Sequence, residues 1–227
     1  MSKISLYMVL GILAVFLPNH MIMKQKSKAE NKTAPTEWVI SNLKEKMQGK
    51  IRVAGNPGTV KCKYGEAVSF NGSSDGLFIE NMPLEGLEQF TVELIFEPQS
   101  GGSFEQRFFH CGEVQGDRVL IELRATSEQW YADAFIKTGN DQLTLIDTKL
   151  LHPLDKWYHL AYINDNGKFS VYINGRKELE GLLNAAVLRS GNTSLGMRQN
   201  EVSWFKGAIY KIRISPKALK PEDFMPY

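Results

Sequence analysis

The chain has 227 residues, of which 43% are hydrophobic and 23% are charged; these proportions are ordinary for a globular protein and sufficient for one sizeable domain. Its formal net charge is +2 and the basic residues are scattered along the body of the chain, so the composition argues against a nucleic-acid partner. The two cysteines and four histidines show no CxxC or Cys/His spacing, which argues against a zinc-finger type of metal site.

The first residues, MSKISLYMVLGILAVFLPNH, have the pattern of an export signal. One lysine precedes an apolar run from Ile4 to Leu17, which is too short for a comfortable membrane span and matches the central region of a signal peptide. Cleavage after Ala29 removes four lysines and leaves 23 basic against 25 acidic residues. We therefore predict that residues 1–29 are a signal peptide or, if uncleaved, a membrane anchor, and that the protein is secreted, periplasmic or at the cell surface.

The next segment, residues 30–49, is predicted to be a linker and a short helix. KQKSKAENKTAPT, residues 24–36, is polar and lacks hydrophobic periodicity, as is typical of a linker. TEWVISNLKEKMQGKI can form a short helix with Thr36 as its N-cap. An edge strand at residues 37–40 is the alternative.

From Lys50 onward the sequence has the pattern of an all-β domain. Short runs rich in Val, Ile, Phe and Tyr are separated by Gly, Asn, Asp and Pro, and several runs alternate apolar and polar residues. Many short antiparallel strands favour a two-sheet jelly-roll sandwich, followed by one helical turn near residues 221–224. The predicted strands are residues 50–54, 58–62, 66–70, 76–80, 89–97, 105–112, 117–125, 129–137, 142–149, 156–164, 167–174, 176–180, 192–196 and 204–214.

Two cysteines, Cys62 and Cys111, leave two interpretations open. Export would permit a disulfide between them. Two buried thiols are the alternative, because cysteine packs well as a small apolar group.

One hairpin resembles a segment of a known protein family. WYHLAYINDNGKFSVYINGRKE resembles the Trp-x-His-Val-Ala…Asp-Gly…Leu-Tyr-Val-Asn-Gly hairpin of laminin-G-like domains, in the concanavalin A-like lectin/glucanase superfamily. GEAVSFNGSSDGLFIEN, FTVELIFEP and SLGMRQNEVSWFKGAIYKIRISPKALKPEDF resemble three further family segments, in the family's order. The resemblance covers roughly residues 50–224. It implies a concanavalin A-like jelly roll over residues 50–227, but the family is functionally broad.

The resemblance also suggests calcium, because laminin-G-like domains often hold Ca²⁺ with loop oxygens. The matching loop here is residues 71–75, in which Asn71 and Asp75 are the candidate ligands. Asn71 stands where the family commonly has Asp, which leaves a single carboxylate. A plain Asx-type turn is the alternative.

Glycoside hydrolysis is the first catalytic function to consider, because glucanases share this jelly roll. A retaining mechanism needs two carboxylates about 5 Å apart. Glu93 and Glu97 flank Ile95, which stands where the glucanase motif has its central Asp, and Glu122 is alone on its strand. We therefore predict no nucleophile–acid pair and expect Glu93 and Glu97 on solvated strand faces. His159 is predicted to be a packed, hydrogen-bonded histidine.

The most prominent polar cluster lies in residues 105–137. If the strands at 117–125 and 129–137 pair, alternating residues of both strands share one face and form a charged patch with aromatic edges. Sugars are commonly held by an aromatic face and by Asp or Arg hydrogen bonds, so the patch is predicted to bind a glycan. Salt bridges on a solvated face are the alternative. The predicted ligand-binding residues are Arg107, Glu122, Arg124, Trp130, Tyr131 and Asp133.

The sequence thus predicts an exported, non-catalytic module that binds a carbohydrate or a cell-envelope glycan. A jelly-roll glycoside hydrolase is the first alternative, and an adhesive or structural module with a protein partner is the second. Membrane contact is expected only through residues 1–29. Trp204-Phe205 is expected to belong to the core rather than to a ligand platform.

Overall fold

The computed structural model describes residues 34–184 and 187–227, which belong to one compact unit, Asn31–Tyr227. The predicted export segment, residues 1–29, and nearly all of the predicted linker lie outside the described residues. Within the described part of the chain, no helix is long and apolar enough to cross a membrane.

The described residues form sixteen strands, one short α-helix and two 3-10 turns, and each of the fourteen predicted strands has a counterpart. The strands are β1 (Thr36–Val39), β2 (Ile51–Ala54), β3 (Gly58–Cys62), β4 (Gly65–Asn71), β5 (Gly76–Ile79), β6 (Gln89–Pro98), β7 (Glu105–Gly112), β8 (Arg118–Ala125), β9 (Gln129–Thr138), β10 (Asp141–Ile146), β11 (His152–Pro153), β12 (Tyr158–Asp165), β13 (Lys168–Ile173), β14 (Arg176–Leu182), β15 (Asn192–Leu195) and β16 (Lys206–Ser215).

Both alternatives for the segment before β2 are realised in part. The chain enters as an edge strand, β1, which pairs antiparallel with the second half of β16. It then forms a 3-10 turn at Ile40–Asn42 and the helix α1, Leu43–Lys46. Thr36 is therefore the first residue of a strand, and its predicted role as a helix cap is wrong. The turn predicted near the C-terminus is present as a 3-10 turn at Pro221–Asp223.

The strands form two antiparallel sheets of eight strands each, which confirms the predicted jelly-roll sandwich. Sheet I has the order β14-β13-β12-β6-β16-β4-β3, with β1 beside β16. Sheet II has the order β10-β9-β8-β7-β15-β5-β2, with β11 beside β9. Strands distant in sequence lie side by side, as β16 does between β6 and β4. This interleaving of the chain is typical of jelly rolls.

The core lies between the two sheets, because alternate residues of each strand point inward. Val92, Leu94 and Phe96 of sheet I and Val119 and Ile121 of sheet II are all fully buried there. Burial of each such side chain contributes about 1.5–3 kcal/mol before the entropy of folding is counted.

The hairpin that identified the family is scaffold, as predicted. Asn166 and Gly167 adopt positive φ angles of 51° and 90° at the turn between β12 and β13. Asn and Gly are the residues that tolerate this conformation best. Both faces of β12 are covered: Tyr158, Leu160 and Tyr162 belong to the main core, and the opposite face packs against the C-terminal segment.

No disulfide joins Cys62 and Cys111. Cys62 ends β3 of sheet I, and Cys111 is fully buried in β7 of sheet II. The Sγ of Cys111 lies 3.5 Å from the Sδ of Met82. The structure therefore has two thiols, of which Cys111 is buried as predicted and Cys62 is half-buried.

Candidate functional site

The predicted polar cluster forms a shallow basin on the outer face of sheet II. Strand β8 pairs with β9 in the register that places Glu122 opposite Asp133 and Arg124 opposite Tyr131. Alternation sends Val119, Ile121 and Leu123 to the core, so the charged residues face outward. We call this surface the basin; its volume is about 160 Å³, and its lining residues are Arg107, Arg118, Leu120, Glu122, Arg124, Asp133, Phe135, Thr144 and Arg198.

Arg124 is the centre of the ion-pair network in the basin. Its Nη1 donates to Glu122 Oε2 at 3.1 Å, and its Nη2 lies 2.6 Å from Asp133 Oδ2. The same Nη2 lies 3.3 Å from Glu105 Oε2 on β7. One guanidinium therefore joins carboxylates of three neighbouring strands. The salt bridges of the alternative interpretation are therefore present, but the side chains of Glu122 and Asp133 are only 3% and 4% exposed, so this part of the network is buried rather than solvated.

Arg107 holds the other side of Glu122. Its Nε approaches Glu122 Oε1 to 3.0 Å as an ion pair, although the N–H is not aligned as a hydrogen bond. Its Nη1 contacts Glu105 and the hydroxyl of Ser203. Both oxygens of Glu122 are thus engaged by guanidinium groups.

Asp133 has one carboxylate oxygen without a partner. Oδ2 is held by Arg124, but the buried Oδ1 has no hydrogen-bond partner among the described residues. Burial, followed by the charge of Glu122, raises the pKa of Asp133 to about 6 although Arg124 and Arg107 oppose the shift. Near neutral pH this oxygen is therefore an acceptor, and in mild acid the carboxyl group can also donate.

Two further arginines line the basin with polar atoms that nothing in the described chain engages. The buried Nε atoms of Arg118 and Arg198 both lack a hydrogen-bond partner among the described residues. Arg118 lies over the half-buried ring of Phe135, with its Cζ 4.9 Å from the ring centroid. Its Nη1 donates to two backbone carbonyls, at 3.0 Å to Gln115 and 2.7 Å to Gly116.

Arg198 belongs to a loop, residues 196–205, that crosses the outer face of sheet II; we call it the crossing loop. Arg198 Nη2 donates to the carbonyl of Val114, and Arg107 N donates to the carbonyl of Ser203, both at 2.8 Å. The amide of Gln199 donates to His110 Nδ1 at 3.2 Å. The loop is therefore fixed to β7, and it places Arg198 at the basin.

His110 acts as a neutral anchor for the crossing loop. Its Nε2 lies 3.1 Å from the carbonyl of Glu113, which can only accept, while Nδ1 accepts from Gln199. Burial, and then the nearby cations Arg198, Arg118 and Arg107, lower the pKa of His110 to about 4. The imidazole is thus uncharged near neutral pH, with the proton on Nε2.

The structure separates the predicted ligand-binding residues into two groups. Arg107, Glu122, Arg124 and Asp133 line the basin, and Tyr131 lies on the same face of β9 but is only 8% exposed. The prediction that Trp130 flanks this patch is wrong. Alternation sends its side chain inward, where the indole is fully buried and packs against Phe96 and Tyr158.

The sequence prediction missed Arg118, Phe135 and Arg198. For Arg118 and Phe135 the alternation of β8 and β9 carried a usable signal, because they share the outward face with Glu122 and Asp133. Arg198 carried no such signal, since it comes from a loop 76 positions after Glu122 in the chain.

One match to a family model shows which family this chain belongs to. The family model Laminin_G_3, described as the concanavalin A-like lectin/glucanases superfamily, matches residues 71–224.

The chain belongs to this family. This confirms the resemblance that the hairpin and three further segments indicated. No match to a curated protein was found.

Solved structures of laminin-G-like shape give the same fold at low sequence identity. Domain 4 of AbnA, a GH43 extracellular arabinanase from Geobacillus stearothermophilus, in complex with arabinotriose, has 23% identity and a TM-score of 0.61, covering 84% of this chain and 94% of that chain. The binding domain of botulinum neurotoxin DC in complex with SialylT has 14% identity and a TM-score of 0.56, covering 77% of this chain and 44% of that chain. The heptameric SAP-like pentraxin from Limulus polyphemus has 18% identity and a TM-score of 0.54, covering 68% of this chain and 77% of that chain. These likenesses show the fold.

The two side chains that the laminin-G-like resemblance suggested as calcium ligands, Asn71 and Asp75, are engaged by backbone N–H groups. Asn71 Oδ1 accepts the backbone N–H groups of Ser73 and Ser74, both at 2.9 Å, and of Asp75 at 3.2 Å. The two oxygens of Asp75 accept the N–H groups of Asn56 and Asn71 at 2.9 and 3.1 Å. These bonds give the loop the hydrogen bonding of an Asx turn. Among the described residues, no group of three or more His, Cys, Asp or Glu is arranged to hold a metal.

The expectation that Glu93 is solvated is wrong, whereas the packed state of His159 is confirmed. Both side chains are fully buried on the outer side of sheet I, and His159 Nε2 lies 3.1 Å from Glu93 Oε1. The same oxygen accepts the N–H of Met225 at 2.7 Å, and Oε2 accepts from Arg213 Nε at 2.5 Å. Burial raises the pKa of Glu93, but the hydrogen bonds from His159, Arg213 and Met225 outweigh it and leave the pKa below its usual value.

This buried cluster has a structural explanation. The C-terminal segment crosses the outer face of sheet I, where Leu219 and Phe224 pack against Ala161 and Ile163. The ring of Tyr227 stacks on His159 at 4.5 Å between centroids. Glu93 thus fastens the C-terminal segment to the sheet. Glu97, on the same strand, is half-buried.

The prediction that Trp204 and Phe205 belong to the core is confirmed for Phe205 alone. Phe205 is fully buried and contacts Phe70 and Phe108. Trp204 is half-buried.

Proposed function

We propose that this laminin-G-like domain is an exported glycan-binding module and that the basin on sheet II is its binding surface. The observation that carries the proposal is that Arg118, Asp133 and Arg198 line one basin, and that each has a buried polar atom, Nε, Oδ1 and Nε respectively, without a hydrogen-bond partner in the described chain. Buried polar groups in folded proteins are nearly always paired, so three in one place mark a surface suited to a polar ligand.

The chemistry of the basin suits a sugar. Arg118 and Arg198 supply N–H donors, and Asp133 Oδ1 supplies an acceptor, which together match the donors and acceptors of ring hydroxyls. The half-buried ring of Phe135 and the side chain of Leu120 supply an apolar floor for sugar C–H groups. The ion pairs of Arg124 and Arg107 fix the walls, so little ordering is required when a ligand binds.

The comparisons support the proposal without deciding it. The similar arabinanase domain is in complex with arabinotriose, and the family's description includes lectins. The size of the basin, about 160 Å³, suits one or two sugar units rather than a long groove.

A glycoside hydrolase is the second candidate, because one observation favours it. Glu122 and Asp133 are cross-strand partners in the basin, and the raised pKa of Asp133 resembles that of a general acid. Against this, both Glu122 oxygens are engaged by Arg107 and Arg124. A carboxylate whose two oxygens are both engaged by guanidinium groups is poorly placed to attack a sugar as a nucleophile, so we propose binding without cleavage.

Export through residues 1–29 is part of the proposal. The supporting observation is the apolar run from Ile4 to Leu17 after a single lysine. N-terminal sequencing of protein recovered outside the producing cell should begin near residue 30. Recovery of the full chain in a membrane fraction would instead indicate an anchor, and recovery in the cytoplasm would contradict export.

The proposed activity can be tested by titrating arabinotriose and a panel of neutral and acidic oligosaccharides into the protein in a calorimeter, with parallel measurement of new reducing ends. We expect at least one sugar to bind, no reducing ends to appear, and Phe135→Ala to weaken binding about tenfold or more. Arg176→Gln on β14 of sheet I, an exposed residue, is the control and should bind as wild type does. Reducing ends would establish the hydrolase, and the absence of any binding would leave the adhesive module with a protein partner.

A further inference from the structure

The arginines of the basin fall into two classes. Arg107 and Arg124 are matched by acids, since Glu105, Glu122 and Asp133 surround them. Arg118 and Arg198 make no ion pair within the described residues, and their hydrogen bonds go to the backbone carbonyls of Gln115, Gly116 and Val114. Two of the four guanidinium groups of the basin are therefore uncompensated by a contacting carboxylate.

These two cations are held in place and close to each other. Arg118 is fixed by the carbonyls of Gln115 and Gly116 and by the face of Phe135. Arg198 is fixed by the carbonyl of Val114. Both side chains line the basin, so each cation lies in the field of the other, and burial, followed by the charge of Arg198, lowers the pKa of the Arg118 guanidinium. Two fixed like charges in a partly desolvated site favour an anion between them.

We propose that the basin binds an acidic glycan, whose oxyanion, a carboxylate or a sulfate, is held by Arg118 and Arg198 while Asp133 and Glu122 face its uncharged part. This inference rests on the proposed function and names the class of sugar. An oxyanion accepts bidentate hydrogen bonds from guanidinium groups, and such charge-assisted bonds are about twice as strong as neutral ones.

The acids of the basin set a limit on the ligand. Glu122 and Asp133 would repel an anionic group placed beside them, so the charge of the ligand must meet the arginines and its uncharged part must meet the acids. A sugar that carries one anionic group beside several hydroxyls fits both halves of the basin. Its charge meets Arg118 and Arg198, and its hydroxyls meet Asp133 Oδ1.

A matched pair of polymers tests this inference. Sodium polygalacturonate and its methyl ester have the same backbone and differ in charge, and dextran sulfate and dextran form the corresponding sulfated pair. We expect wild-type protein to bind one of the charged polymers about tenfold or more tightly than its neutral partner. Binding should weaken severalfold when NaCl is raised from about 50 mM to about 500 mM.

Variants connect this preference to the two arginines. Arg118→Gln and Arg198→Gln, alone and together, should lower affinity for the charged polymer towards that of the neutral one. Arg118→Lys, which keeps the charge and loses the planar fork, should fall between them. Arg176→Gln is the matched control on sheet I, and near-UV circular dichroism checks that each variant is folded.

The outcomes separate this inference from the proposed function. Equal binding of a charged polymer and its neutral partner, or a charge preference that survives both arginine substitutions, overturns the acidic-glycan inference. Binding of neutral oligosaccharides alone overturns it while the glycan-binding function stands. If neither polymers nor oligosaccharides bind, both proposals are wrong.

Discussion

Glu122 on β8 lies directly opposite Asp133 on β9, and one guanidinium, that of Arg124, holds both carboxylates. Two nearly buried acids on neighbouring strands would repel each other without this cation. Arg124→Ala should therefore lower the free energy of unfolding by about 3–5 kcal/mol, as expected when one member of a buried ion-pair network is removed. Urea denaturation measures the change.

Arg52 provides the control for this substitution. It lies on β2 of the same sheet and pairs with Glu201 of the crossing loop at 3.2 Å, but the two side chains are 59% and 51% exposed. Arg52→Ala should cost no more than about 1 kcal/mol. Equal losses in the two variants would contradict the view that the basin network is buried and structurally required.

The pH dependence of stability should carry a contribution from Asp133. Its pKa is raised to about 6 by burial and by Glu122, whereas an unfolded aspartate ionises near pH ~4. The folded chain therefore holds an extra proton between these values. The contribution is fully present below about pH 4 and is lost as the pH rises through about 6, with a size of about 1–3 kcal/mol.

Comparison of wild type with Asp133→Asn isolates this contribution. Glu93 and Glu105 have lowered pKa values, so their stabilising effect has the opposite sign and is lost on acidification. The difference in unfolding free energy between the two proteins should fall from pH about 4 to about 6. A difference that stays constant across this range would contradict the raised pKa.

The C-terminal segment should depend on Glu93. Glu93→Gln removes the charge that Arg213 and the N–H of Met225 engage, and we expect a loss of about 2–4 kcal/mol in unfolding free energy. Hydrogen exchange at the Met225 amide should accelerate more than exchange in β7. Glu97→Gln, which alters a half-buried side chain bonded to Gln99, should leave that amide unchanged; an equal effect would argue against the fastening role of Glu93.

The loop at residues 71–75 should behave as a turn and not as a calcium site. Asn71→Ala removes the acceptor of three backbone N–H groups and should cost about 1–2 kcal/mol. Calcium at about 1 mM should leave the midpoint of thermal unfolding of wild type unchanged, because a ligand that binds the folded state raises the midpoint. A rise in the midpoint that Asp75→Asn abolishes would contradict this assignment.

The strands could be predicted from the sequence because each strand carries a local signal, either in its turn residues or in its alternation of apolar and polar residues. Asn166 and Gly167 mark one turn, and alternation in β6 and β8 assigns inward and outward residues. The order of the strands within each sheet could not be predicted, since β16 pairs with β6 and β4, which lie more than a hundred residues away in the sequence. Such pairings depend on the whole fold rather than on local pattern.

The same distinction holds for the basin and for Glu93. Pairing of two adjacent strands predicted that Glu122 and Asp133 share a face, and alternation within β9 would have excluded Trp130 from it. Arg198 and the C-terminal segment over Glu93 arrive from distant parts of the chain. A strand's own pattern cannot reveal what later covers one of its faces.

The central claim is that the outer face of sheet II binds a glycan and leaves it intact. A titration of isotope-labelled protein with a galacturonate trisaccharide, followed by amide chemical shifts and by assay of reducing ends, tests it most directly. We predict shifts concentrated in β8, β9 and the crossing loop, with the trisaccharide recovered whole. Shifts confined to sheet I or to residues 71–75, or the release of smaller sugars, would contradict the account.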